Sequence, residues 1–119
     1  MQAPALSQAR QHLSDERILS FLLAVKQEVD TPTSIIAARL ALRAGRSLDE
    51  TFQEMDPKEM PPRYRSHHTW KVTPVGPDVY QIEFSTVVGK SGPGDGATWF
   101  VAFDEDEVIR CEMQDYWHR

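Results

Sequence analysis

The sequence predicts an α+β domain in which two to three N-terminal helices pack on one face of a four-stranded antiparallel meander sheet. Apolar residues recur at helical spacing through the first half, then alternate with period two through residues 67–117. The connections between the alternating runs are short, which makes successive strands antiparallel. One domain accommodates all 119 residues: a helical half over 5–56, a proline-rich joint over 57–66 and a sheet half over 67–117.

Ser14 is suited to cap the first helix, with Asp15 and Glu16 in its positive first turn. Ile18, Leu19, Leu22, Val25 and Val29 then repeat at helical spacing, and Phe21 and Leu23 widen the apolar face. Residues 5–13 either extend this helix or form a frayed turn before it. Thr31 is the expected cap of the second helix, with Pro32 at the first helical position, where a missing N–H costs nothing. Ile35, Ile36, Leu40 and Leu42 carry that helix to about Ala44, and Gly45 suits the left-handed residue that follows it. "SLDE", residues 47–50, is a capping box that opens a short third helix bearing Leu48, Phe52 and Met55. "PKEMPPRYRS", residues 57–66, has three prolines and no periodicity, which marks a joint.

In the second half Trp70, Val72 and Pro74 share one parity. So do Tyr80, Ile82 and Phe84, then Trp99, Val101 and Phe103, then Ile109, Cys111 and Met113. Lys71, Thr73, Gln81, Glu83, Arg110 and Glu112 take the other parity and should face water. A helical segment followed by an antiparallel sheet resembles the element order of cystatin-like and NTF2-like folds. The resemblance extends to order alone, and no motif ties the chain to a family.

Net charge is −5, unevenly distributed. Residues 1–46 hold six basic against four acidic groups, whereas residues 67–119 hold four against nine. An acidic second half repels polyanions, so nucleic acid is not the expected partner. No apolar run approaches the ~18 residues of a membrane span, and the start lacks the basic and apolar regions of a secretory signal. With Cys111 as the single cysteine, a cytoplasmic location is the expectation.

Gly89-Lys90-Ser91 raises the question of a phosphate loop. That loop requires a glycine where this chain has Phe84, and a helix immediately after the serine. Here Gly92, Pro93, Gly94, Asp95 and Gly96 follow, so neither a helix dipole nor a ring of free N–H groups is available. A long hairpin loop is the expected structure. The turn in "LALRAGRSLDETF" has the length of a helix-turn-helix, but Asp49, Glu50 and Glu54 on its second helix oppose docking to DNA. "PPRY", residues 61–64, resembles ligands of WW domains and makes Tyr64 a candidate partner contact.

His67, His68, Cys111 and His118 suggest a metal. In a simple meander three inter-strand steps of ~4.8 Å put the first two histidines ~14 Å from the last, so no metal is expected. "DEDE", residues 104–107, lacks the spacing of a calcium loop and is a charged turn. No cofactor motif is present. For acid–base chemistry the candidates are Asp115, Glu83 and the histidines, and Asp115 stands out because it shares the parity of Ile109, Cys111 and Met113, which would desolvate its carboxylate. Arg39, Arg43 and Arg46 form a basic stripe at i, i+4 and i+7 that suits an acidic protein surface, including a second copy of this chain, and Lys90 is a further candidate contact. The expected function is a non-catalytic interaction module. The competing expectation is a cupped domain of NTF2-like or cystatin-like type, holding a small apolar ligand or running simple acid–base chemistry. Lys90→Ala should leave nucleotide behaviour unchanged; saturable ATP binding that this substitution abolishes would reinstate the phosphate loop.

Overall fold

The computed structural model describes residues 4–26, 31–54, 66–89 and 92–119. Four helices precede four strands: α1 (Pro4–Ala9), α2 (Asp15–Ala24), α3 (Thr33–Arg43), α4 (Leu48–Glu54), β1 (Ser66–Gly76), β2 (Val79–Val88), β3 (Gly94–Asp104) and β4 (Glu107–His118). The strands form one antiparallel sheet in the order β1-β2-β3-β4, a meander.

The helix boundaries follow local chemistry. Ser14 caps α2 by accepting the Arg17 N–H at 3.2 Å. Gly45 takes φ +86° after α3, a conformation open to glycine without a Cβ clash. At α4 the Glu50 N–H donates to Ser47 Oγ, and the Ser47 hydroxyl donates to the Glu50 carboxylate, both at 3.2 Å. Two details differ from the sequence reading. Residues 4–9 form a separate helix, because the chain turns at 10–13 before Ser14 starts α2; α1 buries Ala5, Leu6 and Ala9. The cap of α3 is Pro32, not Thr31; Thr31 is buried and its hydroxyl donates to the Lys26 carbonyl at 3.4 Å. Val29, Met55 and the prolines of the joint lie outside the described residues.

Cross-strand register stacks the sheet's apolar residues in rows on the face toward the helices: Trp70, Phe84, Ala97 and Tyr116; then Val72, Ile82, Trp99 and Met113; then Pro74, Tyr80, Val101 and Cys111. Ala5, Leu6 and Ala9 of α1, Leu13 just before α2, Ile18, Phe21 and Leu22 of α2 with Val25 at its end, Ile35 and Ala38 of α3, and Leu48 and Phe52 of α4 pack on these rows. Leu19, Leu23 and Leu40, expected on apolar helix faces, are exposed instead, Leu40 at 59%. The sheet needs only one stripe of each helix, and Ala38 takes the α3 position closest to the core.

Two irregularities in β4 overturn its simple alternation. Ala102 pairs with Arg110 while Phe103 pairs with Val108, so Ile109 is the extra residue of a bulge and is 66% exposed. Thr98 pairs with Asp115 while Trp99 pairs with Met113, which makes Gln114 a second extra residue. Parity inverts there. Tyr116 then packs on the core, and Asp115 is exposed beside Thr98 on the opposite face. The β2–β3 connection is also shorter than expected, because Gly94, Asp95 and Gly96 pair with β2.

Both sheet edges are guarded. The outward Trp70 N–H of β1 donates to Gln8 Oε1 of α1 at 3.1 Å, and Pro74, at the same parity, has no N–H to offer. On β4 the Val108 N–H donates to Ser20 Oγ of α2 at 3.1 Å, and the Tyr116 N–H to Asp115 Oδ1 at 2.9 Å. With two bulges added, β4 offers a poor template for strand addition.

Trp99 is buried in the central row and meets Phe21 with ring centroids 5.4 Å apart. Trp99→Ala should therefore cost about 3–5 kcal/mol, comparable to the whole stability of a domain this size, and abolish the cooperative melt. A cooperative melt within a few degrees of the parent would contradict this packing.

Candidate functional site

α3 packs against α2 and α4 and presents one flank to solvent. Arg39, Arg43, Ile36 and Leu40 follow one another round that flank at 3.6 residues per turn. Ile35 and Ala38 anchor the opposite side in the core. Arg39 is half-buried, and among the described residues nothing accepts a hydrogen from its buried Nε. Burial, and then the like charge of Arg43, lowers its pKa from the ordinary guanidinium value. An arginine in this state leaves one of its five donors buried without an acceptor. Leu40, exposed between the two arginines in sequence, adds an apolar contact to a cationic face.

Arg46 is exposed beyond the end of α3 and its backbone N–H closes on the Ala41 carbonyl at 3.3 Å, so it belongs to the turn into α4. Thus the structure brings Arg39 and Arg43 together, with Arg46 following the helix. Lys90 and Tyr64 lie outside the described residues. Asp115 is on the solvent face, away from the core that would have desolvated it.

Two arginines not singled out by the sequence have contrasting environments. Arg17, with a side chain 16% exposed, donates from Nε to the Glu105 carbonyl at 2.9 Å, from Nη1 to Tyr80 Oη at 3.3 Å and from Nη2 to Asp78 Oδ1 at 2.9 Å. Its guanidinium also lies 4.8 Å from the Phe103 ring centroid. The Asp78 hydrogen bond is the main cause of its raised pKa. Asp78 and Glu105 sit in the β1–β2 and β3–β4 turns, both at positive φ, so one side chain of α2 ties down both hairpin tips. Arg10 makes paired bonds to Asp15 and Asp49, joining the start of α2 to α4, and these partners raise its pKa strongly. These two arginines are satisfied structural clamps; Arg39 is not.

The inner face ends in a polar row. Register sets His68, Thr86, Asp95 and His118 side by side across the four strands. Thr86 Oγ1 lies 2.9 Å from His68 Nδ1 and 2.7 Å from Ser34 Oγ of α3, and the His68 ring stacks on Phe84. This hydroxyl–imidazole chain closes the end of the core with paired polar groups. His68 and His118 stand three strands apart, and among the described residues no group of three His, Cys, Asp or Glu side chains gathers at a spacing fit for a metal. No helix among the described residues is long and apolar enough to cross a membrane.

Comparison with known proteins gives no match to a family model, to a curated protein or to a solved structure.

Arg17→Lys keeps the charge but cannot span acceptors on two turns and a tyrosine. Because Asp78 is largely solvated, the expected loss is modest, about 1–2 kcal/mol in urea unfolding. Unchanged stability would show that the hairpin tips do not depend on this clamp.

Proposed function

We propose that the protein is a non-catalytic interaction module that docks an acidic protein surface through the Arg39–Arg43 flank of α3. The observation that carries this reading is the Arg39 guanidinium, partly desolvated by its own fold with no acceptor at its buried Nε. Part of the dehydration cost is thus already met before a partner arrives, and a carboxylate would complete the missing bonds. Leu40 supplies the apolar contact usual at the centre of an interface, where arginine is also enriched. A second copy of the chain is one such surface, since residues 67–119 hold four basic against nine acidic groups. Guarded edges on β1 and β4 direct self-association toward side-chain contacts instead of strand pairing.

The cupped ligand-binding or acid–base reading draws less support. Its anchor, Asp115, lies on the face away from the helices, and the space between helices and sheet holds Phe21, Phe52, Trp70, Phe84 and Trp99.

Arg39→Met separates a functional arginine from a structural one. Replacing an unpaired, half-buried cation by an apolar side chain of similar length should stabilise the free protein by up to about 1 kcal/mol. Acidic proteins retained by the parent at low salt should be lost both on this variant and in about 0.5 M salt. Sedimentation under the same conditions reads whether a second copy is among the partners. Lower stability together with undiminished retention would contradict the proposal.

A further inference from the structure

The geometry points to a second, separate binding site: a shallow depression on the solvent face of the sheet that takes a single ring of a neutral, polyhydroxylated ligand such as a hexose. The depression measures about 170 Å³ and is lined by Lys71, Thr73, Gln81, Glu83 and Thr98. Register explains how these side chains converge. Lys71 opposes Glu83, which opposes Thr98, and Thr73 opposes Gln81 in the adjoining row. All five project from the face opposite the helices, so this site shares nothing with the flank of α3.

The lining selects the ligand by exclusion. Lys71 and Glu83 are opposite in charge and cross-strand neighbours, yet no ion pair joins them among the described residues. The bond inside the depression, from Thr98 Oγ1 to Glu83 Oε2, is long at 3.5 Å. Gln81 donates outward to Gln114 Oε1 at 3.2 Å and keeps its own carbonyl oxygen as an acceptor. Donors and acceptors therefore remain in roughly equal supply around a centre of balanced charge. An anion would meet Glu83, with Asp115 opposite Thr98 and Glu112 opposite Phe100 nearby. A metal cation would find one carboxylate and an ammonium. An apolar group would strip water from Lys71 and Glu83 without replacing its hydrogen bonds. A hydroxyl both donates and accepts, so a ring bearing several hydroxyls meets every requirement.

Two aromatic side chains stand on the same face of the sheet, outside the lining of the depression. Phe100 opposes Gln81, and Trp117 opposes Gly96, one row beyond Thr98. Trp117 lies flat on the strand because Gly96 has no side chain; a Cβ there would come 2.5 Å from Nε1 and 2.6 Å from Cε2. Arg110 and Arg119 lie over these rings at 5.1 Å and 5.5 Å, so the ring faces are already covered and the ligand is held by hydrogen bonds to the five lining side chains.

The test is an NMR titration of isotope-labelled full chain with D-glucose, N-acetyl-D-glucosamine and myo-inositol, each to about 100 mM, since an open polar site of this size binds in the millimolar range. At least one probe should give saturable shifts at Lys71, Gln81 and Thr98, while those of α3 stay still. Gln81→Ala and Thr98→Val, both away from the core, should each weaken that binding about tenfold with an unchanged melt. Citrate should not compete. Absence of saturation with all three probes, affinity equal to the parent's in both variants, or tighter binding of citrate at the same residues would each overturn the inference.

Discussion

Phe21 of α2 meets two tryptophans of the sheet at once, Trp70 with centroids 5.9 Å apart and Trp99 at 5.4 Å, both in T-shaped contact. Phe52 of α4 reaches Trp70 and Phe84 from the neighbouring helix, and Trp70 closes on Phe84 at 5.0 Å. Five aromatic rings from two helices and three strands thus interlock, each pair in a geometry that the ring quadrupoles favour. Each buried aromatic contributes more apolar area than any other side chain of the core, so this cluster weighs heavily on where the helical layer can sit. The position of α2 in turn brings Arg17 to both hairpin tips and Ser20 to the edge of β4.

Once α1, α2 and α4 occupy the sheet, α3 is left with a footing through Ile35 and Ala38, and with a hydroxyl contact from Ser34 to Thr86. Its outer flank carries the exposed Leu40 and Arg43 beside the half-buried Ile36 and Arg39. Arginines elsewhere show what the chain does when a guanidinium is structural: Arg10 and Arg17 each find several acceptors. Arg39 stands apart because its burial is uncompensated. Retaining such a group runs against stability, and a residue kept at that cost is where an external acceptor is most naturally sought.

Much of the fold was legible because its signals are local. Ser14, Gly45 and the Ser47–Glu50 pair mark helix ends through chemistry that acts within four residues, and period-two alternation located β1 to β3. β4 was misread where the chain departs from that period. A bulge has no residue code of its own here, and Gln114 alone moved Asp115 from the apolar face to the wet one. The polar row of His68, Thr86 and Asp95 escaped notice for a related reason: the glycines at 94 and 96 suggest a loop, whereas the pairing continues through them. Arg17 escaped because its partners lie more than sixty residues away, and nothing local distinguishes it from a solvated arginine. Arg39 and Arg43 were visible as a stripe, but which of the two was desolvated depends on the angle at which α3 meets its neighbours.

The claim that one aromatic cluster welds the helical and sheet halves into a single folding unit is most directly examined by native-state amide hydrogen exchange. Amides in α2, β2 and β3 should open with the same free energy and respond alike to low denaturant, as parts of one cooperative unit. If α2 instead exchanged through a separate, lower-energy opening while the sheet stayed protected, the sheet would not require the ring contacts of Phe21, and the account of how α3 comes to be free would fail with it.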